Sequence, residues 1–169
     1  VCRLMQSRFD AQVADSSWGD RLACKWNFLV PGLPESVEIH MGRLGQTGEQ
    51  VAFAASLVRR ARRVLIGGHA LPITSTSDRL MISSMQRMYR HFYFRLCDVI
   101  DTAAVADGGA IDFEELRALS GSASIWKGMA TYLVIVSDYV KRFRGSGLRL
   151  PQFVLDAAGL QTPLRDGDI

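Results

Sequence analysis

The sequence has few cysteines and no long hydrophobic run. Cys2, Cys24 and Cys97 are the only cysteines among 169 residues, and they lack the paired spacing of a zinc site or a disulfide framework. The most hydrophobic run, residues 132–136, is far shorter than the roughly 20 apolar residues that a transmembrane helix needs. These absences argue against a structural zinc protein, a disulfide-stabilised secreted domain and a membrane protein. They predict a soluble, cytoplasmic protein.

An excess of one charge sign is also missing. The 20 Lys and Arg residues are opposed by 17 Asp and Glu residues, which leaves a formal net charge of +3. Most of the cations are arginines, which suit bidentate contacts with phosphate or carboxylate groups, although a solvated arginine-rich surface explains them as well. Nucleic-acid binding would have to use the basic run Arg59, Arg60, Arg62 and Arg63. The modest net charge does not favour that function.

The hydrophobic content of 48% gives a chain of this length enough apolar surface for a core. Residues 23–30 and 36–41 have strand character and are separated by a turn that contains Pro31 and Gly32, whereas Gly67 and Gly68 form a tight hairpin signal. Helical periodicity dominates after residue 75. We therefore predict an α+β fold, in which a small antiparallel sheet in the first third packs with an antiparallel helical second half. The predicted parts are residues 1–75, residues 76–160 and a loose tail, 161–169.

Residues 78–106 have the pattern of one long helix with two stripes. The apolar stripe follows the spacing of a helix that faces a core, and it consists of Met81, Met85, Met88, Phe92, Leu96, Val99 and Ala103. The polar stripe has the same spacing on another face and consists of Arg87, His91, Arg95 and Asp98. Two interpretations of the polar stripe are open: a structural ion-pair network, or a set of ligand contacts along a groove.

Glu38 and His40 form a second candidate site. Strand alternation places both on one face of a predicted strand, opposite Val37 and Ile39. A carboxylate and an imidazole that point the same way from a sheet can bind a metal ion or transfer a proton. The solvent-facing side of an edge strand explains the pair as well.

Several segments, taken in order over roughly residues 20–140, resemble a bacterial family of uncharacterised nucleotidyltransferase-like proteins. The similarity is carried by short motifs, which are Val37-Glu38-Ile39-His40, Gly42-Arg43-Leu44, Thr76-Ser77-Asp78-Arg79-Leu80, the helix through His91, Arg95, Leu96 and Asp98, and Ile111-Asp112-Phe113. In nucleotidyltransferases of this fold, catalysis rests on a Gly-Ser turn, a pair of carboxylates on one strand and a third carboxylate on a neighbouring strand. The carboxylates hold divalent metal ions, which position a nucleoside triphosphate.

The resemblance implies a role for each candidate residue. Glu38 would be the third carboxylate, with a catalytic and Mg²⁺-binding role, and His40 would assist beside it. The residues that would contact the triphosphate or an unknown acceptor are Arg43, Arg87, His91 and Arg95. The arginine and histidine stripe would then lie opposite Glu38 and His40 across a groove.

The chain departs from the family pattern in two ways. No Gly-Ser turn followed by a pair of carboxylates precedes Glu38, and Glu38 stands where the family usually has Asp. The start at Val1 favours an upstream segment that supplies the missing carboxylates, and a fold retained for binding without catalysis is the other option. The alternative function is a non-catalytic helical interaction or ligand-sensing module, in which aromatic and methionine side chains line a pocket or a homodimer interface.

Overall fold

The computed structural model describes residues 1–22, 24–42 and 51–159. The chain divides into two compact units, of which the first is Val1–Arg59 and the second begins at Arg60. Small antiparallel sheets lie within the first 73 residues, and the part that follows is mostly helical. The predicted α+β class is therefore confirmed.

The first unit contains a three-stranded antiparallel sheet in the order β1-β2-β3. Its elements are α1 (Cys2–Phe9), β1 (Gln12–Val13), α2 (Trp18–Leu22), β2 (Lys25–Leu29), β3 (Val37–His40) and α3 (Val51–Arg60), the last of which ends at the unit boundary. The predicted hairpin is present as β2 and β3, with Phe28 opposite Val37 and Lys25 opposite His40. Phe28 packs with Met5 and Ala11 in a small core on one side of this sheet.

The second unit begins with the hairpin formed by β4 (Arg62–Ile66) and β5 (His69–Ile73). Gly67 and Gly68 have φ values of 56° and 81°, which are the left-handed conformations that a tight two-residue turn requires. The predicted Gly67-Gly68 turn is therefore confirmed. Every residue of both strands is exposed.

Helices form the rest of the second unit. They are α4 (Thr76–Ser84), a π-helical segment (Met85–His91), α5 (Leu96–Asp107), α6 (Phe113–Ser122), α7 (Trp126–Arg144) and α8 (Gln152–Ala157). Helix α7 is the central one, since a stripe of its side chains is buried: Met129, Ala130, Tyr132, Leu133, Val136 and Val140. It ends where Gly145 adopts the left-handed conformation typical of a helix C-terminus. No helix within the described ranges has both the length and the hydropathy needed to cross a membrane.

The prediction of one long helix over residues 78–106 is wrong. The α-helix widens into a π-helix at Met85, and Phe92 then adopts a left-handed conformation with a φ of 57°. Arg95 is extended, and α5 starts after it because the Asp98 carboxylate accepts a hydrogen bond of 3.0 Å from the Arg95 backbone N–H. The predicted apolar stripe is correspondingly interrupted. Met81 and Met85 are buried in the core, whereas Phe92 is exposed at the break.

Gly128 in α7 lies directly against the Tyr89 side chain of the π-helical segment. A Cβ at position 128 would lie 2.1 Å from the Tyr89 hydroxyl oxygen, so the Tyr89 ring would have to move. We expect Gly128→Ala to lower the free energy of unfolding by about 1–3 kcal/mol, the usual cost of overpacking. Gly121→Ala is the matched control, because Gly121 is also helical and has open space at its Cβ position.

Urea unfolding of five proteins tests this expectation: the wild type, both glycine variants, Tyr89→Ala, and Gly128→Ala combined with Tyr89→Ala. Gly121→Ala should be neutral or slightly stabilising, since alanine favours a helix over glycine by up to about 1 kcal/mol. In the Tyr89→Ala background the penalty of Gly128→Ala should vanish. A penalty that persists there would show that Tyr89 is not the contact responsible.

Candidate functional site

The two faces of the β2–β3 hairpin differ in chemistry. Register and strand alternation place Lys25 and Asn27 on the same face as Glu38 and His40. The opposite face carries the apolar side chains, among them Phe28, which packs in the core of the first unit. Glu38 and His40 thus share a polar face that the apolar core leaves available.

The structure brings Glu38 and His40 into direct contact. His40 Nε2 lies 2.7 Å from Glu38 Oε1, and the Glu38 side chain is 42% exposed. The other carboxylate oxygen, Oε2, lies 2.8 Å from the Lys25 ammonium. A cation and an imidazole therefore hold the two oxygens of one carboxylate.

Lys25 connects this pair to a second carboxylate, that of Asp20. Its Nζ atom lies 2.9 Å from Asp20 Oδ1, and its side chain is mostly buried. Asp20 is fixed in turn by Ser17, which donates hydrogen bonds of 3.0 Å from its backbone N–H and 2.8 Å from its hydroxyl to Oδ2. We name this set, Ser17, Asp20, Lys25, Glu38 and His40, the Lys25 network.

The pKa shifts of Asp20, Lys25 and Glu38 keep these three groups of the Lys25 network charged at neutral pH. Hydrogen bonds from Lys25 and Ser17 lower the pKa of Asp20 to about 2. Burial by itself would raise the pKa of Glu38, but hydrogen bonds from Lys25 and His40 outweigh it, so that this pKa is lowered. Burial would likewise lower the pKa of Lys25, but its two carboxylate partners raise it. Glu38 is therefore an ionised, partly exposed carboxylate.

The Lys25 network does not by itself fit Mg²⁺, which prefers several oxygen ligands. Both oxygens of Glu38 already contact a nitrogen, Oε1 that of His40 and Oε2 that of Lys25. No group of three His, Cys, Asp or Glu side chains in the described part of the chain could hold a metal ion. Arg43, the next predicted site residue along the chain, lies outside the described residues.

The predicted polar stripe belongs to the second unit, and most of it forms an ion-pair cluster around Asp98. The Arg87 Nε atom lies 2.7 Å from Asp98 Oδ2, and both side chains are buried, with 6% and 10% exposed. Arg95 Nη2 lies 3.3 Å from the other oxygen, Oδ1, but the Arg95 side chain is largely exposed. We name Arg87, Arg95 and Asp98 the Asp98 cluster.

The members of the Asp98 cluster differ in what they can contact. Burial would raise the pKa of Asp98, but hydrogen bonds from Arg95 and the charge of Arg87 lower it, so the carboxylate is ionised. The Arg87 guanidinium pairs with Asp98, and its Cζ atom lies 5.4 Å from the centroid of the Tyr93 ring. His91 is exposed, with its ring 5.6 Å from that of Tyr93. Of the two predicted arginines in the cluster, only Arg95 is open to a ligand.

Sequence reasoning missed Lys25 and Asp20, although one signal for Lys25 was present. Once β2 is paired with β3, alternation places Lys25 directly opposite His40 on the polar face. No comparable pattern predicts Asp20, which comes from α2. The predicted position of Arg87, His91 and Arg95 opposite Glu38 and His40 stays a prediction, since the two groups lie in different units.

Comparisons with known proteins add no family to this description. No protein-family model matches the chain, and neither a curated protein nor a solved structure matches it significantly.

Proposed function

We propose that this chain is nucleotidyltransferase-like and contributes Glu38 to a site for a nucleoside triphosphate. The observation that supports the proposal is the state of Glu38, which is ionised, partly exposed and fixed on the polar face of the sheet. This is the position that the family resemblance gives to the third carboxylate. The proposed location is the cytoplasm, where nucleoside triphosphates are available.

The Lys25 network would prepare Glu38 for such a role. Lys25 and His40 each hold one carboxylate oxygen, so the side chain is fixed in direction and its negative charge is kept. His40 is within hydrogen-bond distance of Glu38 Oε1 and would assist by sharing a proton with it. Mg²⁺ enters the proposal only through the resemblance, because these residues do not offer it a site.

The proposed contacts with the triphosphate and its acceptor are Arg43, Arg87, His91 and Arg95. Among the described ones, Arg95 is the strongest candidate for direct phosphate contact, since its guanidinium is exposed and arginine suits bidentate binding of phosphate oxygens. Arg87 would act as a positioning residue, because its buried side chain reaches the surface only through Asp98 and Arg95.

A thermal-shift measurement with a non-hydrolysable nucleoside triphosphate and Mg²⁺ tests the proposal on the full-length protein. At a hundredfold excess over Kd a ligand stabilises the folded state by about 2.7 kcal/mol, which raises Tm by roughly 5–10 °C for a protein of this size. Glu38→Gln should abolish that rise. Glu35→Gln is the matched control, because Glu35 is an exposed glutamate of the same unit, and it should keep the full rise.

Two outcomes would contradict the proposal. One is the absence of any rise in Tm for the wild-type protein with the triphosphate and Mg²⁺. The other is an equal rise for Glu38→Gln and Glu35→Gln, which would place binding elsewhere.

The alternative function is a non-catalytic helical interaction or ligand-sensing module. Its methionine part is not supported by the packing, because Met81 and Met85 are buried in the core. An apolar groove between α5 and α7 is the observation that favours it, because Leu96, Ile100 and Phe143 in its lining are exposed.

A further inference from the structure

The hairpin of β4 and β5 exposes apolar side chains along its whole length. Leu65 is 75% exposed and Ile66 is 54% exposed, and Val64, Leu71 and Ile73 are exposed as well. A two-stranded hairpin that nothing covers is only marginally stable in water, and contiguous exposed apolar surface marks an interaction site. The hairpin therefore has the character of an element that a partner covers. We name residues 64–71 the hairpin tip.

Apolar side chains stand on both faces of the hairpin tip. Register and strand alternation place Val64, Ile66 and Leu71 on one face, whereas Leu65 lies on the other face with Ala70. A folded protein that packed against the tip would cover one face and leave the other in water. An apolar phase that surrounds the tip covers both faces at once.

The base of the hairpin is positively charged. Arg62 and Arg63 are exposed at the start of β4, and alternation places their side chains on opposite faces. The sequence contains no Asp or Glu between Glu49 and Asp78. Among the described residues no carboxylate pairs with Arg62 or Arg63, whereas Arg60 is paired with Asp78. Each face of the hairpin thus has one uncompensated cation beside its apolar residues.

The strand edges of the hairpin disfavour a further strand as the partner. Proline has no N–H, so it fits in a strand only where its nitrogen faces away from the ladder. Pro72 lies opposite Arg63 within the hairpin, and its nitrogen therefore faces the open edge of β5, where an added strand would need a donor. The open edge of β4 begins with two arginines, and charged side chains also oppose strand addition.

We propose that the hairpin tip inserts into the surface of an anionic phospholipid bilayer, where Arg62 and Arg63 bind the lipid phosphates. Arginine suits bidentate contacts with phosphate oxygens. Three residues of a strand extend about 10 Å, so the segment from Val64 to Ile66 matches the roughly 5–10 Å to which interfacial elements bury their apolar side chains. The tip enters only this interfacial layer and does not cross the bilayer, so water still reaches the open strand edges.

The order of charge and apolar surface along the hairpin favours a bilayer over nucleic acid. Nucleic acid would bind Arg62 and Arg63 through its phosphates but would leave the hairpin tip in water. A bilayer offers phosphates at the level of the arginines and an apolar layer at the level of the tip. The binding needs no nucleotide, so it is independent of the proposed nucleotidyltransferase-like function.

Cosedimentation of the full-length protein with phospholipid vesicles, without nucleotide, tests the proposal. The wild type should bind vesicles of equal parts phosphatidylcholine and phosphatidylglycerol much more tightly than vesicles of phosphatidylcholine alone. Leu65→Ser with Ile66→Ser should weaken binding to the mixed vesicles at least about tenfold, because two large apolar side chains no longer enter the bilayer. Val51→Ser with Val58→Ser is the matched control, since both valines are exposed in α3, and it should leave binding unchanged.

A second pair of variants tests the role of charge. Arg62→Gln with Arg63→Gln should weaken binding to the mixed vesicles about thirtyfold, the expected effect of removing two cations near an anionic surface. Arg3→Gln with Arg8→Gln removes the same charge from exposed positions of α1 and should have little effect. Circular dichroism of each variant confirms that it is folded.

Fluorescence quenching by brominated lipid acyl chains tests the insertion of the hairpin tip. Mixed vesicles that contain these chains should quench Leu65→Trp more strongly than the wild type, whereas Val58→Trp should be quenched no more than the wild type. A wild type that does not bind the mixed vesicles would overturn the proposal, as would equal effects of the hairpin variants and their controls. Binding to duplex DNA but not to vesicles, lost on replacement of Arg62 and Arg63, would also overturn it and identify nucleic acid as the partner.

Discussion

Asp98→Ala is expected to lower the free energy of unfolding by about 3–5 kcal/mol, because it leaves the buried Arg87 guanidinium without its charge partner. The substitution also removes the carboxylate that accepts the Arg95 backbone N–H at the start of α5. Loss of a cap of this kind contributes about 1 kcal/mol of the total. Urea unfolding followed by far-UV circular dichroism measures the change.

Asp101→Ala is the matched control for Asp98→Ala. Asp101 lies in the same helix and pairs with Arg79 at 3.1 Å, but both of these side chains are exposed. Exposed ion pairs contribute about 0–1 kcal/mol, so this variant should remain close to the wild type. The double variant Arg87→Met with Asp98→Asn should recover much of the lost stability, because it removes the buried charge together with its partner. Equal effects of Asp98→Ala and Asp101→Ala would mean that Arg87 does not depend on Asp98.

Lys25→Met is expected to destabilise the first unit by about 2–3 kcal/mol at pH 7, the usual contribution of hydrogen bonds to charged groups. The substitution removes the cation that holds Asp20 and Glu38 together. Lys127→Met is the control, since Lys127 is exposed in α7, and it should have little effect. Tryptophan fluorescence in a Trp126→Phe background, where only Trp18 and Trp26 of the first unit remain, follows unfolding of that unit during the titration with urea.

The effect of Lys25→Met should depend on pH in a defined direction. The pKa of Asp20 is lowered from 3.8 to about 2 in the folded protein, and that of Glu38 is lowered as well. Carboxylates with depressed pKa values contribute stability that is present above the unfolded pKa and lost as the pH falls through the folded one. The difference between wild type and variant should therefore be full at pH 7 and shrink between about pH 4 and pH 2. A difference that stays constant over this range would show that Lys25 acts by packing alone.

The parts of the fold that the sequence predicted correctly depend on local signals. The turn at Gly67 and Gly68 requires left-handed conformations that glycine adopts freely, and the pairing of β2 with β3 follows from their apolar alternation across a short turn. The helical periodicity predicted after residue 75 is clearest in α7, where the buried stripe runs from Met129 to Val140. Each of these signals is contained in a short, continuous stretch of sequence.

The break before α5 was not predictable, because one of its causes is distant in sequence and the other uses a residue type that does not signal a helix start. The aromatic residue Phe94 leaves the helical path and stacks on Tyr132 of α7, with ring centroids 5.5 Å apart. The cap of α5 joins a buried carboxylate to Arg95, a residue type that does not signal a helix start. The spacing of apolar residues contains no information on either contact, so the sequence of α4, the π-helical segment and α5 has the pattern of one helix.

The candidate site residues were likewise predicted only in part from the sequence. Strand alternation was sufficient to put Glu38 beside His40, and the structure has them in contact. The burial of Arg87 was not predictable, since an arginine on a polar helical stripe is normally solvated. In the structure Arg87 lies in the π-helical segment, is buried and pairs with Asp98. Of the two interpretations of that stripe, the structural network applies to Arg87 and Asp98, and Arg95 retains an exposed guanidinium.

The Asp98 carboxylate has three roles: it caps the start of α5, neutralises the buried Arg87 and pairs with the exposed Arg95. This concentration of tasks limits how the protein can change over evolutionary time. The Asp98 carboxylate cannot be lost before Arg87 is replaced, because the intermediate sequence would bury the Arg87 guanidinium without a charge partner. We therefore expect sequences that lack the carboxylate at position 98 to lack the arginine at position 87 as well, whereas Asp98 would keep Arg95 as a partner if Arg87 were replaced.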